Sequence, residues 1–412
     1  MLLIRDILCF SSFESGDYVD LSSIAIPKSH LESVSKNLEY NEHIGKYYWR
    51  LFHEIVVDLE KTDIQSERVK GKVERLQSCN SIWQLDVYRK SKVKDFLKTN
   101  LCKDKFCNNC KKLKQAARQG RFMPEIEKYA HVYKMSHMVL TVPNIEDAAG
   151  DGEKLRNRIK TMFTAFSTLI EYLKEKKKIK GINFDYGYVG AIRSLEVTYK
   201  KNSYHPHLHV LIAHTDNFGE KINMNRYSYD KYGRKPVRAF SDFEIMIQKL
   251  WYLLITDTIE FENKSKEDNT RRKKITKKRL DDLEIGYSCM IDEFADGDFH
   301  ELFKYMTKSD GIDNKEDGES SIMTYLNFKT LFYSLHRVRQ IQGYGVFFNI
   351  SDDDSFMDEV AEEYERIINA LREKEKPESA SETVQALLED NEYTIISKKQ
   401  LYKIIKSNSN SL

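Results

Sequence analysis

Three histidines occupy alternate positions in SYHPHLHVLIAH, residues 203–214: His205, His207 and His209. Strand side chains alternate between faces, so these three share one face while Leu208, Val210 and Ile212 point to the other. Imidazole is the commonest transition-metal ligand, and two of them at i and i+2 can reach one ion. The preceding SLEVTY offers a third donor. There Glu196 and Thr198 share one face, and Leu195 and Val197 share the other. A carboxylate in an otherwise apolar strand is costly to bury unless it is paired or bound to a metal. Two imidazoles and one carboxylate leave open positions on a divalent ion. That mix suits Mn²⁺ or Mg²⁺ and would also accept Zn²⁺ or Co²⁺.

A second group lies in HELFKYMTK. On a helix, Glu301, Tyr305 and Lys308 fall on one stripe. A neutral phenol is a poor nucleophile, but a nearby cation favours the phenolate. A carboxylate one turn away can activate water. Taken alone, this spacing is common on solvated helix faces, and it gains weight only beside the histidine strand.

Four of the six cysteines are grouped: Cys79, Cys102, Cys107 and Cys110, the last three in CKDKFCNNC. Four thiolates satisfy tetrahedral zinc, with two supplied by the tight C-x2-C turn and Cys79 arriving from beyond a helix-like segment. A closed four-thiolate site leaves no position for chemistry, so its role is structural. It would hold a basic surface made of Lys103, Lys105, Lys111, Lys112, Lys114, Arg118 and Arg121. Cys9 and Cys289 fit no ligand spacing and are expected in the core.

These groups need elements to position them. MSHMVLTVPN (135–144) reads as a strand stopped by Pro143 and Asn144, and 153–176 as an amphipathic helix. Residues 188–199 and the histidine strand form a β-hairpin across KKNS, with Pro206 limiting full pairing to residues from His207 onward. A helix over 241–257, a strand over 287–292, a helix over 298–310 and a strand over 343–350 follow. The fold class is α+β: an antiparallel central sheet with packed helices, a zinc-binding N-terminal region and a helical C-terminal tail. The expected organisation is a mostly helical region 1–78, the basic cysteine region 79–122, a catalytic domain 123–350 and an acidic helical region 351–412.

Charged residues make up 32% of the 412, and mean hydropathy is −0.59, so a polar globular chain is expected. The net charge is only +2, but basic runs at 103–121, 174–180 and 271–279 contrast with the acidic 351–365. Clustered Lys and Arg point to a polyanionic partner. No apolar run is long enough to span a bilayer and no secretory signal is evident, so the expected location is cytoplasmic, with reduced thiols and no membrane partner.

As a set, the motifs resemble those of rolling-circle plasmid replication initiators, endonucleases of the His-hydrophobe-His (HUH) class. MVLTVPN (138–144) resembles the family's first motif, HPHLHVLI (205–212) its metal motif and ELFKYMTK (301–308) its tyrosine motif, in the family's order. The cysteine cluster upstream also recurs in that family, although KDKFCNNC lacks the usual Arg and Pro. The resemblance covers about 79–350 and implies an HUH nuclease fold.

It also implies roles. His207 and His209 would bind the catalytic divalent ion with Glu196 as third ligand, and His205 would stand behind them or join them. Tyr305 would attack origin DNA, giving a 5′-phosphotyrosyl enzyme and a free 3′-OH. Glu301 would activate water at termination, and Lys308 would neutralise the phosphate. Implied partners are plasmid origin DNA, with a single-stranded or hairpin nick site and flanking duplex, and a bacterial host's helicase and DNA polymerase. Two other readings fit parts of the chain. HPHLHVL matches the spacing of histidine-triad nucleotide hydrolases, although Pro206 sits where that pattern wants an apolar strand former. A non-enzymatic zinc-containing DNA-binding protein would account for the cysteines and basic runs.

Overall fold

A computed structural model describes residues 28–58, 69, 71–73, 76, 82–88, 94–99, 102, 104–263, 273–294, 299, 323–350 and 391–397. The chain divides into two compact units, 1–117 with 354–412, and 118–353.

In the first unit, α1 (Lys28–Asp58) buries Tyr40, Ile44, Tyr48, Leu51 and Ile55 along one stripe. The i, i+4 and i+3 spacing of these residues is what makes this stretch an amphipathic helix. Strands β1 (Ile82–Tyr88) and β2 (Lys94–Thr99) pair antiparallel. The segment between Cys79 and Cys102 was expected to be helix-like and is instead this hairpin. Its IWQLDVY run alternates with period two, which suits a pleated strand rather than a helix.

The acidic tail was expected to be helical, yet it contributes β9 (Asn391–Ser397) to the same sheet, in the order β2-β1-β9. Thr394, Ile395 and Ile396 are β-branched and lie opposite Leu85, Gln84 and Trp83. Stiff branched side chains favour strands. The boundary between the units falls within α2 (Asn108–Ala130).

The second unit is built on a six-stranded antiparallel sheet. Its strands are β3 (Lys134–Thr141), β4 (Ile145–Glu146), β5 (Tyr188–Lys200), β6 (Ser203–His214), β7 (Cys289–Glu293) and β8 (Ile341–Gly345). The order is β7-β3-β6-β5-β8, with β4 pairing to β6. The 188–200 and 203–214 hairpin forms as its alternation indicates, and it pairs along its whole length, from Lys200 opposite Ser203 to Tyr188 opposite His214.

Pro206 therefore does not delay pairing with β5. On the other side, β3 ends at Thr141, opposite His207, and β4 resumes at Ile145, opposite Tyr204. The residue that cannot donate to a ladder sits where the neighbouring strand is interrupted. The last strand ends earlier than expected, because Gly345 adopts φ +64 and begins a turn over 346–349.

Both faces of this sheet are covered. On one face pack α3 (Glu153–Leu173), α4 (Asp242–Asn263) and α6 (Tyr325–Ser334), and a short α5 (Lys277–Asp281) lies against α4. From α3, Leu155, Ile159, Met162, Phe166, Leu169 and Leu173 are buried, each worth about 1.5–3 kcal/mol against exposure. Opposite them lie the even-numbered residues of β6, Leu208, Val210 and Ile212, all buried. On the other face, Phe122 and Ile126 of α2 pack with Met135, Ile192, Leu211, Ala213, Phe299 and Ile341.

Strand β7 lies at an edge of the order, and side chains occupy its outward backbone groups. Gln248 donates to the Cys289 carbonyl at 3.1 Å. Glu244 accepts from the Ile291 N–H at 2.7 Å, and Lys221 donates to the Ile291 carbonyl.

Candidate metal centres

The register of β5 and β6 builds the first centre. Glu196 lies directly opposite His207, and Ser194 opposite His209. The side chains of Glu196, His207 and His209 emerge on one face and are 2%, 9% and 4% exposed. Both histidine Nε2 atoms converge on the same carboxylate oxygen, Glu196 Oε2, with His209 at 2.9 Å. The three donor atoms lie within 4.8 Å of one another.

The far nitrogens are also engaged. His207 Nδ1 faces the His205 carbonyl at 3.1 Å, and His209 Nδ1 faces His137 Nε2 at 3.0 Å. A carbonyl can only accept, so the His207 Nδ1–H donates to the His205 carbonyl, which turns Nε2 toward Glu196. A hydrogen bond behind the ligating nitrogen is how proteins orient metal-binding imidazoles. Burial alone would raise the Glu196 carboxyl. The hydrogen bonds from His207 and His209 outweigh it and hold the group at about 2, so this carboxylate is charged across the physiological range. The donor set thus fits a divalent ion.

His205 stands beside this trio. Its ring centroid is 5.2 Å from that of His207, but its nitrogens are not among the clustered donors. What it supplies is the carbonyl that orients His207. Sequence reasoning missed His137, which lies on β3 and stacks between His209 (5.2 Å) and Phe294 (5.5 Å). Burial first, then the neighbouring His209, lowers its pKa to about 4, so it is neutral at pH 7. The available signal was a histidine of the right parity in MSHMVLT. What could not be read was that this strand would lie next to β6. Trp251 of α4 fixes the end of β3 by donating to the Thr141 carbonyl at 2.8 Å.

Glu301, Tyr305, Lys308 and Cys79 lie outside the described residues. Their flank is informative: Phe299, two residues before Glu301, packs among Ile192, Leu211 and Ile341, on the same face of the sheet as Glu196, His207 and His209.

In the first unit, the sulfurs of Cys102, Cys107 and Cys110 are buried within 4.8 Å of one another. Cys102 and Cys110 Sγ are 3.6 Å apart. Asn41 Nδ2 donates to Cys107 Sγ at 3.1 Å, and the Asp104 N–H to Cys102 Sγ at 3.4 Å. Donors aimed at sulfur suit thiolates, and three of them can hold a soft ion such as zinc with one further ligand. Asp104 organises the turn. It accepts from Tyr48 Oη at 2.9 Å, from the Phe106 N–H at 2.9 Å and from Lys72 at 3.0 Å. The expected basic surface is only partly such: Arg118 is 5% exposed. It falls on the helix stripe that carries Phe122, four residues on, so its stem is drawn inward. Cys289 is buried, as expected.

An antiparallel sheet carrying a buried two-histidine, one-carboxylate trio, together with a thiol cluster, defines an α+β protein with two candidate metal centres. Residues 93–227 match a family model described as a replication protein, about a third of the chain. That stretch contains Cys102, Cys107, Cys110, Glu196, His207 and His209 and ends before Tyr305. The chain is 28% identical over 148 residues to a Protein rep of Staphylococcus aureus, covering 35% of this chain and 58% of the relative. It is 25% identical over 167 residues to a Protein rep of Streptococcus pneumoniae, covering 39% and 48%. A replication protein of Staphylococcus aureus is 24% identical over 225 residues, covering 50% and 86%. The chain thus spans about half the length of the first two relatives. No solved structure matches. The resemblance drawn from the motifs, to replication initiators, is borne out over this stretch.

Proposed function

We propose that the chain initiates plasmid replication as an HUH-type, single-tyrosine nickase of origin DNA. One observation carries the reading: both Nε2 atoms of His207 and His209 converge on Glu196 Oε2 in a buried trio on one sheet face. A divalent ion held by Glu196, His207 and His209, Mn²⁺ or Mg²⁺ in the cell, would supply Lewis-acid polarisation of the scissile phosphate. Tyr305 is the nucleophile. Its phenolate oxygen bonds to phosphorus as the bond to the 3′ oxygen breaks. That oxygen leaves as a 3′-OH after taking a proton, and the 5′ phosphate stays on the tyrosine. Lys308 offsets phosphate charge, and Glu301 takes a proton from the water that releases the enzyme, unless a 3′-OH attacks instead and rejoins the strand.

The position of Phe299 supports this arrangement, because it packs on the face that carries the trio and precedes Glu301 by two residues in the sequence. The cysteines, Cys79 included, hold structural zinc in a closed site. The partners are origin DNA and, beyond it, a host helicase and polymerase in the bacterial cytoplasm. Among the described residues, no helix is long and apolar enough to cross a membrane.

The nucleotide-hydrolase reading is weakened by the same geometry. A nucleophilic histidine must present a free nitrogen to phosphorus, and in both His207 and His209 the Nε2 faces Glu196. The deciding experiment incubates the protein with labelled single strands of the plasmid's origin and Mn²⁺, followed by denaturing gels. A metal-dependent covalent adduct, absent from Tyr305→Phe, is expected. No adduct on any origin segment would favour a non-enzymatic zinc-containing DNA-binding protein.

A further inference from the structure

The connection from β6 to α4 is a protruding arm that the metal chemistry does not use. Its stem is tied down. Asn223 pairs with Phe240, and Tyr229 with Pro236. Asn225 donates to Gln248 at 2.8 Å, Tyr227 Oη to the Gly286 carbonyl at 3.1 Å, and Ser228 is fully buried. Arg238 clamps the base between Glu244 (2.7 Å) and Asp292 (2.8 Å).

The tip is a tight turn. Asp230 Oδ1 accepts from the N–H groups of Tyr232 (3.1 Å) and Arg234 (2.9 Å), and Gly233 supplies φ +70. The Asp230 side chain closes the turn, and the left-handed conformation at its tip is one that glycine adopts without strain. Residues 231–237 are all exposed. Tyr232 is 66% exposed, with Lys231 Nζ 4.9 Å and Arg234 Cζ 5.5 Å from its ring centre. Between 226 and 237 there are four basic side chains and one acid, and that acid is Asp230, already engaged by the turn.

We infer that the arm over 226–237 binds single-stranded DNA, with Tyr232 stacking on a base and Lys231, Arg234, Lys235 and Arg226 taking the flanking phosphates. An aromatic ring held in water between cations complements a flat base next to an anion. A duplex hides its base faces, so a stacking ring selects a melted strand. The location fits too. Asp292, which clamps the arm, lies opposite His137, and the ring of His137 contacts His209. The arm is therefore rooted two strands from the ligand-bearing β6, about 10 Å. The inference rests on the initiator reading only for the identity of the nucleic acid.

The test uses the full chain without added divalent ion and measures the anisotropy of a labelled mixed-sequence single strand and of the same sequence as a duplex. Tyr232→Ala is expected to weaken single-strand binding about tenfold, and Tyr232→Phe to keep it. The triple change Lys231→Ala, Arg234→Ala, Lys235→Ala is expected to weaken it at least tenfold and to make the salt slope shallower by about 2. Duplex binding should change little. Wild-type single-strand affinity in Tyr232→Ala and in the triple variant overturns the inference, as do equal losses on duplex. The side chains are exposed, and circular dichroism checks that the variants fold. If single-strand binding depends on the arm but no Tyr305 adduct forms on origin strands, the nicking reading falls and the inference stands. If the adduct forms and the arm variants bind normally, the inference alone falls.

Discussion

Glu196 is the residue on which the first metal centre turns, because one of its oxygens meets both histidines. Glu196→Gln keeps the shape and removes the charge. It should lower Mn²⁺ affinity at least tenfold by titration calorimetry, with the protein still folded. His137 acts at one remove, through His209. Replacing such a supporting partner typically costs 10- to 100-fold in metal affinity. His137→Phe keeps the stack on Phe294 but loses the hydrogen bond, so a tenfold or greater loss of Mn²⁺ affinity is expected, measured in the same titration. At this scale the trio was legible, since the parity of His207, His209 and Glu196 follows from alternation alone. His137 was not, because its role depends on β3 lying beside β6, a pairing between residues about 70 apart that no local pattern encodes. Nor was the separate part of His205, whose backbone carbonyl rather than its ring does the orienting.

At the scale of elements, β6 is held against α6 by Tyr204, which is fully buried and donates to Asn327 Oδ1 at 2.7 Å. Burial first, then the nearby Asp147, raises its phenol to about 12, with the Thr330 side chain opposing the shift. The unfolded phenol titrates near 10. The folded group therefore keeps its proton to higher pH than the unfolded one. Its contribution is complete below pH 10 and is lost as pH rises through about 12. Urea unfolding between pH 9 and 12 should show wild type losing about 2–3 kcal/mol that Tyr204→Phe does not lose. The hairpin of β5 and β6, the helix α3 and the strand β3 were readable from period and punctuation. The hairpin of β1 and β2 and the tail strand β9 were not. They form a sheet from segments some 300 residues apart, and their pairing rather than their local propensity decides the outcome.

For the whole molecule, the two units carry different metals on the proposed reading. Chelation selective for zinc should raise amide hydrogen exchange around Cys102–Cys110 and α1, where Asn41 and Tyr48 contact the cysteine turn. Exchange in β3, β5 and β6 should be unchanged. Equal deprotection of both units would argue against a structural role confined to the cysteines. The boundaries expected from composition, at 78, 122 and 350, remain a proposal, and the compact units divide at 117 and 353.

The side chains along β7 have a colloidal consequence. A strand at a sheet border offers a row of amides and carbonyls to any passing chain, and such borders seed aggregation. Here Gln248, Glu244 and Lys221 take those groups first, and two of the three come from α4. Two of these residues, Gln248 and Glu244, also root the arm, and with Lys221 they act as a fence against stacking of one copy on another. Glu244→Ala should open that fence. Light scattering of the variant would then report self-association that grows with concentration, at levels where wild type stays dispersed.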